Sequence, residues 1–229
     1  YGSAVGSRMV KFRTAAWLAS IFVILGAVIQ GQGGAETLNK LGAVRTLEGA
    51  FIVALCGAIT VFAMTKKGLP VSTSQAIVGA IIGWSFYSGA HPDYSTLGKI
   101  AGTWVSGPLL GMGFASVLYI LFRKILRNVG IHIIKLNIYT RVGLLVIGAF
   151  GAYSLGANNI ANVMGVFVNS APDLSINLWL FSLSTTQVLF FIGGVAIAVG
   201  IATYGQHVMQ KVGSEIMILT PEAALIVVL

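Results

Sequence analysis

Two polar stretches interrupt a chain otherwise built for an apolar medium, and both carry groups suited to holding small ions. The first is Gly68-Leu69-Pro70-Val71-Ser72-Thr73-Ser74-Gln75, running into Ala76-Ile77-Val78-Gly79-Ala80-Ile81-Ile82-Gly83. Proline suits a first helical position, because its missing N–H would have no partner there anyway. The hydroxyls of Ser72, Thr73 and Ser74 would then stand beside unpaired backbone N–H groups, and a helix start within a membrane is an anion site. The plainer alternative is a Ser/Thr cap at an ordinary span end. The second stretch is Gly156-Ala157-Asn158-Asn159-Ile160-Ala161-Asn162-Val163-Met164-Gly165. Its three Asn are costly in hydrocarbon unless paired. Asn158 and Asn162, four apart, share a face if helical. A helix break at Asn158 or Asn159 would free carbonyls. Carbonyl and amide oxygens suit Na⁺, and amide N–H groups suit an oxyanion. The alternative is an Asn network that only holds helices together.

The elements that must position these residues are membrane helices. Of 229 residues, 56% are apolar and 9% charged, against about 25% charged in a soluble domain. That excludes a disordered chain. The net charge of +8 sits in short basic clusters between apolar runs, which suits the ends of membrane spans rather than a nucleic-acid-binding face. Cys56 is the single cysteine, so neither an internal disulfide nor a Cys-based metal site is available. His91, His132 and His207 are far apart, and no metal site or cofactor is implied.

The fold class is all-α: a polytopic membrane protein with discontinuous half-helices and inverted-topology repeats. Six segments are long and apolar enough to cross a core of ~30 Å: approximately residues 14–31, 46–65, 69–89, 97–122, 141–157 and 184–203, with a seventh beginning near Ile216. Continuous apolar runs exclude a β-barrel. Successive crossings put eleven of the fourteen Lys and Arg on one side, together with a basic loop over residues 123–140. That side is expected to be cytoplasmic, in the plasma membrane. The same loop is suited to touching anionic lipid headgroups.

Self-comparison aligns Thr46-Leu47-Glu48-Gly49-Ala50-Phe51-Ile52-Val53-Ala54-Leu55 with Thr220-Pro221-Glu222-Ala223-Ala224-Leu225-Ile226-Val227-Val228-Leu229, six of ten pairs being identical. A weaker match pairs Gly2, Val5 and Ser7 with Gly165, Val168 and Ser170. The charge-derived crossings give the two copies opposite senses, as in many secondary transporters. The expected organisation is one incomplete transporter domain over 1–229. Within it, 1–122 form most of a first repeat, 123–140 the loop and 141–229 the first part of a second. Tyr1 at the start and an apolar run at the end suggest a piece of a longer chain.

Other residues have plainer readings. Glu48 and Glu222, at repeat-related span starts, could carry H⁺ or bind Na⁺, or be first-turn acids favoured by the helix dipole. Cys56 reads as a packing residue. Gly79/Gly83, Gly107/Gly111 and Gly148/Ala152/Gly156 read as close helix contacts. Trp84, Tyr87, Trp104 and Trp179 read as interfacial or packing aromatics. No phosphate-binding loop, nucleophile constellation or acid–base pair is present, so no enzyme is expected.

At its two polar stretches the chain resembles the PiT inorganic phosphate transporters. Their halves each carry a Gly-Ala-Asn-Asp-x-Ala-Asn signature and a later Pro-Val-Ser-Thr-Thr-His-type motif followed by Ala-Ile-Val-Gly-Ala-Ile-Ile-Gly. The run from Gly156 to Asn162 is similar to the first and the run from Pro70 to Gly83 to the second. The remaining copies would lie just before Tyr1 and beyond Leu229. The resemblance implies a symporter taking up inorganic phosphate with Na⁺ or H⁺. It assigns Ser72, Thr73, Ser74, Gln75, Asn158 and Asn162 to the anion. Asn158, Asn159, Thr73, Glu48 and Glu222 are assigned to the cation. Three positions depart from the pattern. Asn159 replaces Asp, Gln75 replaces His, and Val23 stands where many members carry Glu. These bear on the coupling ion and on phosphate versus sulfate, since a related branch carries sulfate.

No Arg or Lys falls in mid-span, so an anion there would be held by helix starts, hydroxyls, amides and a co-bound cation, with alternating access. The rivals are a sulfate or related oxyanion permease and a passive channel. Expected partners are phosphate, Na⁺ or H⁺ and the bilayer, without nucleic acid; a homo-oligomer is left open.

Overall fold

The computed structural model describes residues 1–210 except 7, 8, 43, 68, 70, 130–132, 174, 179 and 180. Pro70, His132, Trp179, Glu222 and the repeat over 220–229 therefore lie outside the described residues. Among the described residues the chain is all-α apart from one hairpin. Its helices are α1 (Gly2–Gly6), α2 (Phe12–Gln30), α3 (Gln32–Leu41), α4 (Leu47–Lys66), α5 (Thr73–Tyr87), α6 (Tyr94–Val129), α7 (Ile133–Met164) and α8 (Thr185–Gln210). A 3-10 turn, Gly165–Phe167, follows α7. Strands β1 (Ile176–Leu178) and β2 (Phe181–Leu183) pair antiparallel, Ile176 opposite Leu183. Among the described residues five helices are long and apolar enough to span a membrane: Phe12–Gln30, Leu47–Lys66, Tyr94–Leu121, Ile138–Phe167 and Thr185–Gln206.

The third expected span, residues 69–89, is instead the short helix α5. Ser72 caps it, its Oγ accepting from the Gln75 N–H at 3.3 Å. Gly89 ends it, at φ 72, in the left-handed region that favours glycine. The 15 residues between span about 22 Å at 1.5 Å each, less than the ~30 Å core. α5 runs back along α4. Ile77 lies beside Gly57 and Trp84 beside Gly49, and the Asp93 N–H donates to the Leu41 carbonyl at 2.8 Å. The chain thus returns to the level of the first turn of α4.

Residues 123–140, expected as a loop, belong mostly to helices: α6 runs on to Val129 and α7 starts at Ile133. Arg and Lys are good helix formers, and no Gly or Pro intervenes between Gly113 and Gly130. Charge marked the end of the apolar window, not of the helix.

The described chain divides into two compact units. One comprises Tyr1–Val23, Gly102–Ser154 and the described chain from Ile197. Its core joins Ala4, Val10, Ala15 and Leu144, with Tyr1, Val5, Met9, Leu145 and Ile147 against them. A second cluster joins Ala19, Val23 and Ala152, packed by Phe22, Ile197 and Ile201. Small residues let helix backbones approach in lipid, where van der Waals packing drives association. The Tyr1 hydroxyl donates to the Leu145 carbonyl at 3.0 Å.

The other unit comprises Ile24–Ala101 and Leu155–Ala196. Its centre is Gly31, between α2 and α3. A Cβ there would strike the Ala27 carbonyl and Ile160 Cγ2, and would lie 2.8 Å from Phe190 Cδ2. Only hydrogen fits where α2, α7 and α8 meet. Two expected small-residue contacts differ from the reading. Gly79 and Gly83 stand on the exposed face of α5 with open space beside them, while Ile77, Val78, Ile81 and Ser85 form its buried face. Gly107 and Gly111 also face open space. Cys56, expected to pack, is exposed.

Candidate functional site

The two polar stretches meet within the second unit. Asn162 Nδ2 donates to Ser74 Oγ at 2.9 Å and to Asn159 Oδ1 at 3.1 Å. A side-chain amide nitrogen carries two hydrogens, so Asn162 uses both. Its Oδ1 accepts nothing among the described residues. Ser74 Oγ accepts here and keeps its own hydrogen to donate.

Each side chain is placed by its helix. Asn159 and Asn162 are three apart on one face of α7, both half-buried. Asn158 is exposed. No break occurs at Asn158 or Asn159, contrary to expectation, because α7 continues to Met164 and gives way only at Gly165. The pairing of Asn162 with Asn159 and Ser74 satisfies the amides without opening the backbone. On the other helix, Ser72, Thr73 and Gln75 are exposed and Ser74 half-buried. The first helical backbone bond runs from Ala76 N to Ser72 O. The N–H groups of Thr73 and Ser74 have no acceptor among the described residues. The positive end of the α5 dipole is added to them.

The site therefore offers two backbone N–H groups, the hydroxyls of Ser72, Thr73 and Ser74, and the Asn159 amide nitrogen as donors. Asn162 Oδ1 is an unengaged acceptor. No lysine or arginine lies on either stretch. Among the described residues no group of three or more His, Cys, Asp or Glu could hold a metal ion.

Glu48 is not brought to this cluster. It is an exposed first-turn residue of α4, whose N-cap Thr46 accepts from the Gly49 N–H at 3.1 Å. It lies beside the C-terminal end of α5, since Trp84 covers Gly49. Val23 sits in an apolar cluster of the first unit. Sequence reasoning did not single out Gly31 and α3, which support the end of α7: Gly34 abuts Ala161, and Ala35 lies beside Gly165. The signal was present in Gly31, Gly33 and Gly34, which interrupt the apolar run.

A second helix start carries a similar tetrapeptide. Ser184 Oγ accepts from the Gln187 N–H at 3.3 Å, and Gln187 Oε1 accepts from the Ser184 N–H at 3.0 Å. This is a closed capping box. The Thr185 hydroxyl donates to Asp173 Oδ1 at 2.8 Å. Bonds from the Ser175 N–H and then the Thr185 hydroxyl hold the exposed Asp173 carboxyl below its usual 3.8.

The profile described as the phosphate transporter family matches residues 1–229. The chain belongs to that family. A permease of Methanocaldococcus jannaschii is 28% identical over 209 residues, covering 91% of this family member and 61% of its own length. The sulfate permease CysP of Bacillus subtilis is 30% identical, covering 94% and 58%. Sodium-dependent phosphate transporter 2 of Felis catus is 31% identical, covering 80% and 28%. The chain thus spans about three fifths of the first two relatives. The solved structure titled "The sodium-dependent phosphate transporter" shares the fold, with a TM-score of 0.78 at 20% identity over 99% of this chain and 75% of that one. This family member is a multi-pass membrane protein.

Proposed function

We propose that this chain supplies part of a secondary active transporter that moves inorganic phosphate together with Na⁺ or H⁺. The observation that carries the reading is the Asn162–Ser74 hydrogen bond, which sets a paired Asn network against the start of a half-helix. Family membership supports transport rather than catalysis. Phosphate near neutral pH is an oxyanion that accepts many hydrogen bonds and keeps at least one hydrogen of its own. The donors of Thr73, Ser74 and Asn159 suit its oxygens, and Asn162 Oδ1 suits its hydrogen. The site has no fixed positive charge, so a cation held by Asn158, Thr73 or neighbouring carbonyls would offset the anion, and neither enters easily alone. Release to the other side would proceed by alternating access. The basic segment 123–140 is assigned to the cytoplasmic side of the plasma membrane by its excess of Lys and Arg.

A second reading, sulfate transport, is favoured by the 30% identity to a sulfate permease and by the neutral Asn159. Uptake of radiolabelled phosphate and sulfate by the full-length protein in proteoliposomes separates the two, with Na⁺ and pH varied independently. Saturable phosphate uptake that follows the Na⁺ or H⁺ gradient and resists excess sulfate is expected. Sulfate uptake unaffected by phosphate would replace the first reading with the second. Flux that never saturates and ignores both gradients would overturn coupled transport.

A further inference from the structure

We propose that Gly193 of α8 and Gly34 of α3 are positioning residues for the anion site, setting how far the Asn face of α7 stands toward α5. The inference rests on the reading of the Ser74–Asn162 cluster as the phosphate site. Each glycine lies behind an asparagine. A Cβ at Gly193 would lie 2.6 Å from Ile160 Cδ1 and 2.6 Å from Met164 Cγ. Ile160 and Met164 are four apart and share one face of α7. Asn162 is two residues from each, and two residues turn an α-helix by about 200°. It therefore stands on the opposite side of α7, where it bonds to Ser74. The pattern repeats one residue earlier. A Cβ at Gly34 would lie 2.8 Å from Ala161 Cβ, and Asn159, two residues before Ala161, occupies the opposite side.

The surroundings leave the back of α7 little room to yield. Ile160 is fully buried, and its Cγ2 already fills the space that a Cβ at Gly31 would need. A Cβ at the neighbouring Gly194 would stand 3.3 Å from Ile24 Cα, so α8 already rests close to the backbone of α2. Carbon atoms pack at about 3.5 Å or more. A methyl at Gly193 therefore demands a shift of about 1 Å, and close-packed interiors transmit such a shift rather than absorb it. The 2.9 Å bond from Asn162 Nδ2 to Ser74 Oγ lies on the far side of that push, and an N–H···O bond keeps its strength over a range of only about 0.5 Å. Two apolar positions with no hydrogen-bonding side chain thus fix the geometry of the polar cluster.

The test measures phosphate uptake by the full-length protein in proteoliposomes, read as half-saturating concentration and as maximal rate per folded transporter. Gly193→Ala should raise the half-saturating phosphate concentration on the order of tenfold, with the maximal rate kept within about twofold. Adding Ile160→Val removes the Cδ1 that the new methyl meets, and the flexible Met164 side chain can then adapt, so the double variant should regain the natural value. Gly200→Ala, on the same helix but with open space beside it, should change neither quantity. Should Gly193→Ala fail to insert, Gly34→Ala with Ala161→Gly as its rescue decides in its place. A half-saturating concentration that does not rise, or that rises without rescue, would overturn the positioning role and leave phosphate transport standing. Absence of phosphate uptake by the natural protein would overturn both.

Discussion

Ser72-Thr73-Ser74-Gln75 and Ser184-Thr185-Thr186-Gln187 are nearly the same tetrapeptide, each opens a helix, and each uses its first serine as cap. They differ in where the remaining polar groups go. At α8 the glutamine folds back to the Ser184 N–H, and Thr185 is bonded to Asp173. At α5 the Gln75 side chain has no partner among the described residues, and Ser74 is bonded to Asn162, 88 residues away. One start consumes its hydrogen-bonding capacity internally. The other leaves donors facing outward, tied to a second polar element. The tetrapeptide is thus a helix signal. The long-range partner makes one copy a candidate binding site.

The largest expected effect is at the tie itself. Asn162→Leu removes two hydrogen bonds, at about 1 kcal/mol of stability each. It should cut phosphate uptake by the full-length protein on the order of 100-fold at low substrate; uptake within twofold of normal would dissolve the contrast. Next come the two glutamines. Gln75→Leu should lower uptake roughly tenfold with little change in thermal unfolding. Gln187→Leu should do the reverse, costing about 1 kcal/mol of stability while uptake is maintained. Equal behaviour of the two would erase the distinction between the helix starts. Ser184→Ala should likewise cost about 1 kcal/mol in detergent unfolding, without a transport phenotype. The smallest effect belongs to Asp173. Its carboxyl is depressed in the fold, so its stabilising contribution is present above the usual value of 3.8 and fades as pH falls through the lower folded value. Asp173→Asn should therefore unfold at a slightly lower temperature at neutral pH, and the gap should close on strong acidification.

The spans were legible because apolar runs report membrane depth directly, and four of the six read from the sequence lie within a few residues of the membrane-compatible stretches of the observed helices. Residues 69–89 misled because Leu69 and Val71 extend the apolar run, while Ser72 sets the actual helix start. The end of α6 was obscured for the opposite reason: Arg123, Lys124 and Arg127 end an apolar window but favour a helix. The Asn stretch advertised polar groups in hydrocarbon, yet a break there required their amides to compete for backbone bonds. Instead, they bond to each other and to Ser74. That meeting could not be read from local spacing, only from the resemblance of both motifs to one family. Gly31 and Gly165, where breaks do occur, carried no polar side chain to draw notice.

The packing of α5 is uneven along its length. Near its C-terminal end, Ser85 is buried and bonded to the Ile81 carbonyl, Gly42 presses on both residues, and Trp84 covers Gly49. At its other end, Ile77 packs beside Gly57, and among the described residues the side-chain hydrogen bond that leaves the helix start is the one to Asn162. A rod of about 22 Å held near one tip moves most at the other, and a tilt of about 5° displaces the far tip by roughly 2 Å. The tip farthest from Ser85 is the one bearing Thr73 and Ser74, so whatever is captured there acts with the longest lever arm along the helix.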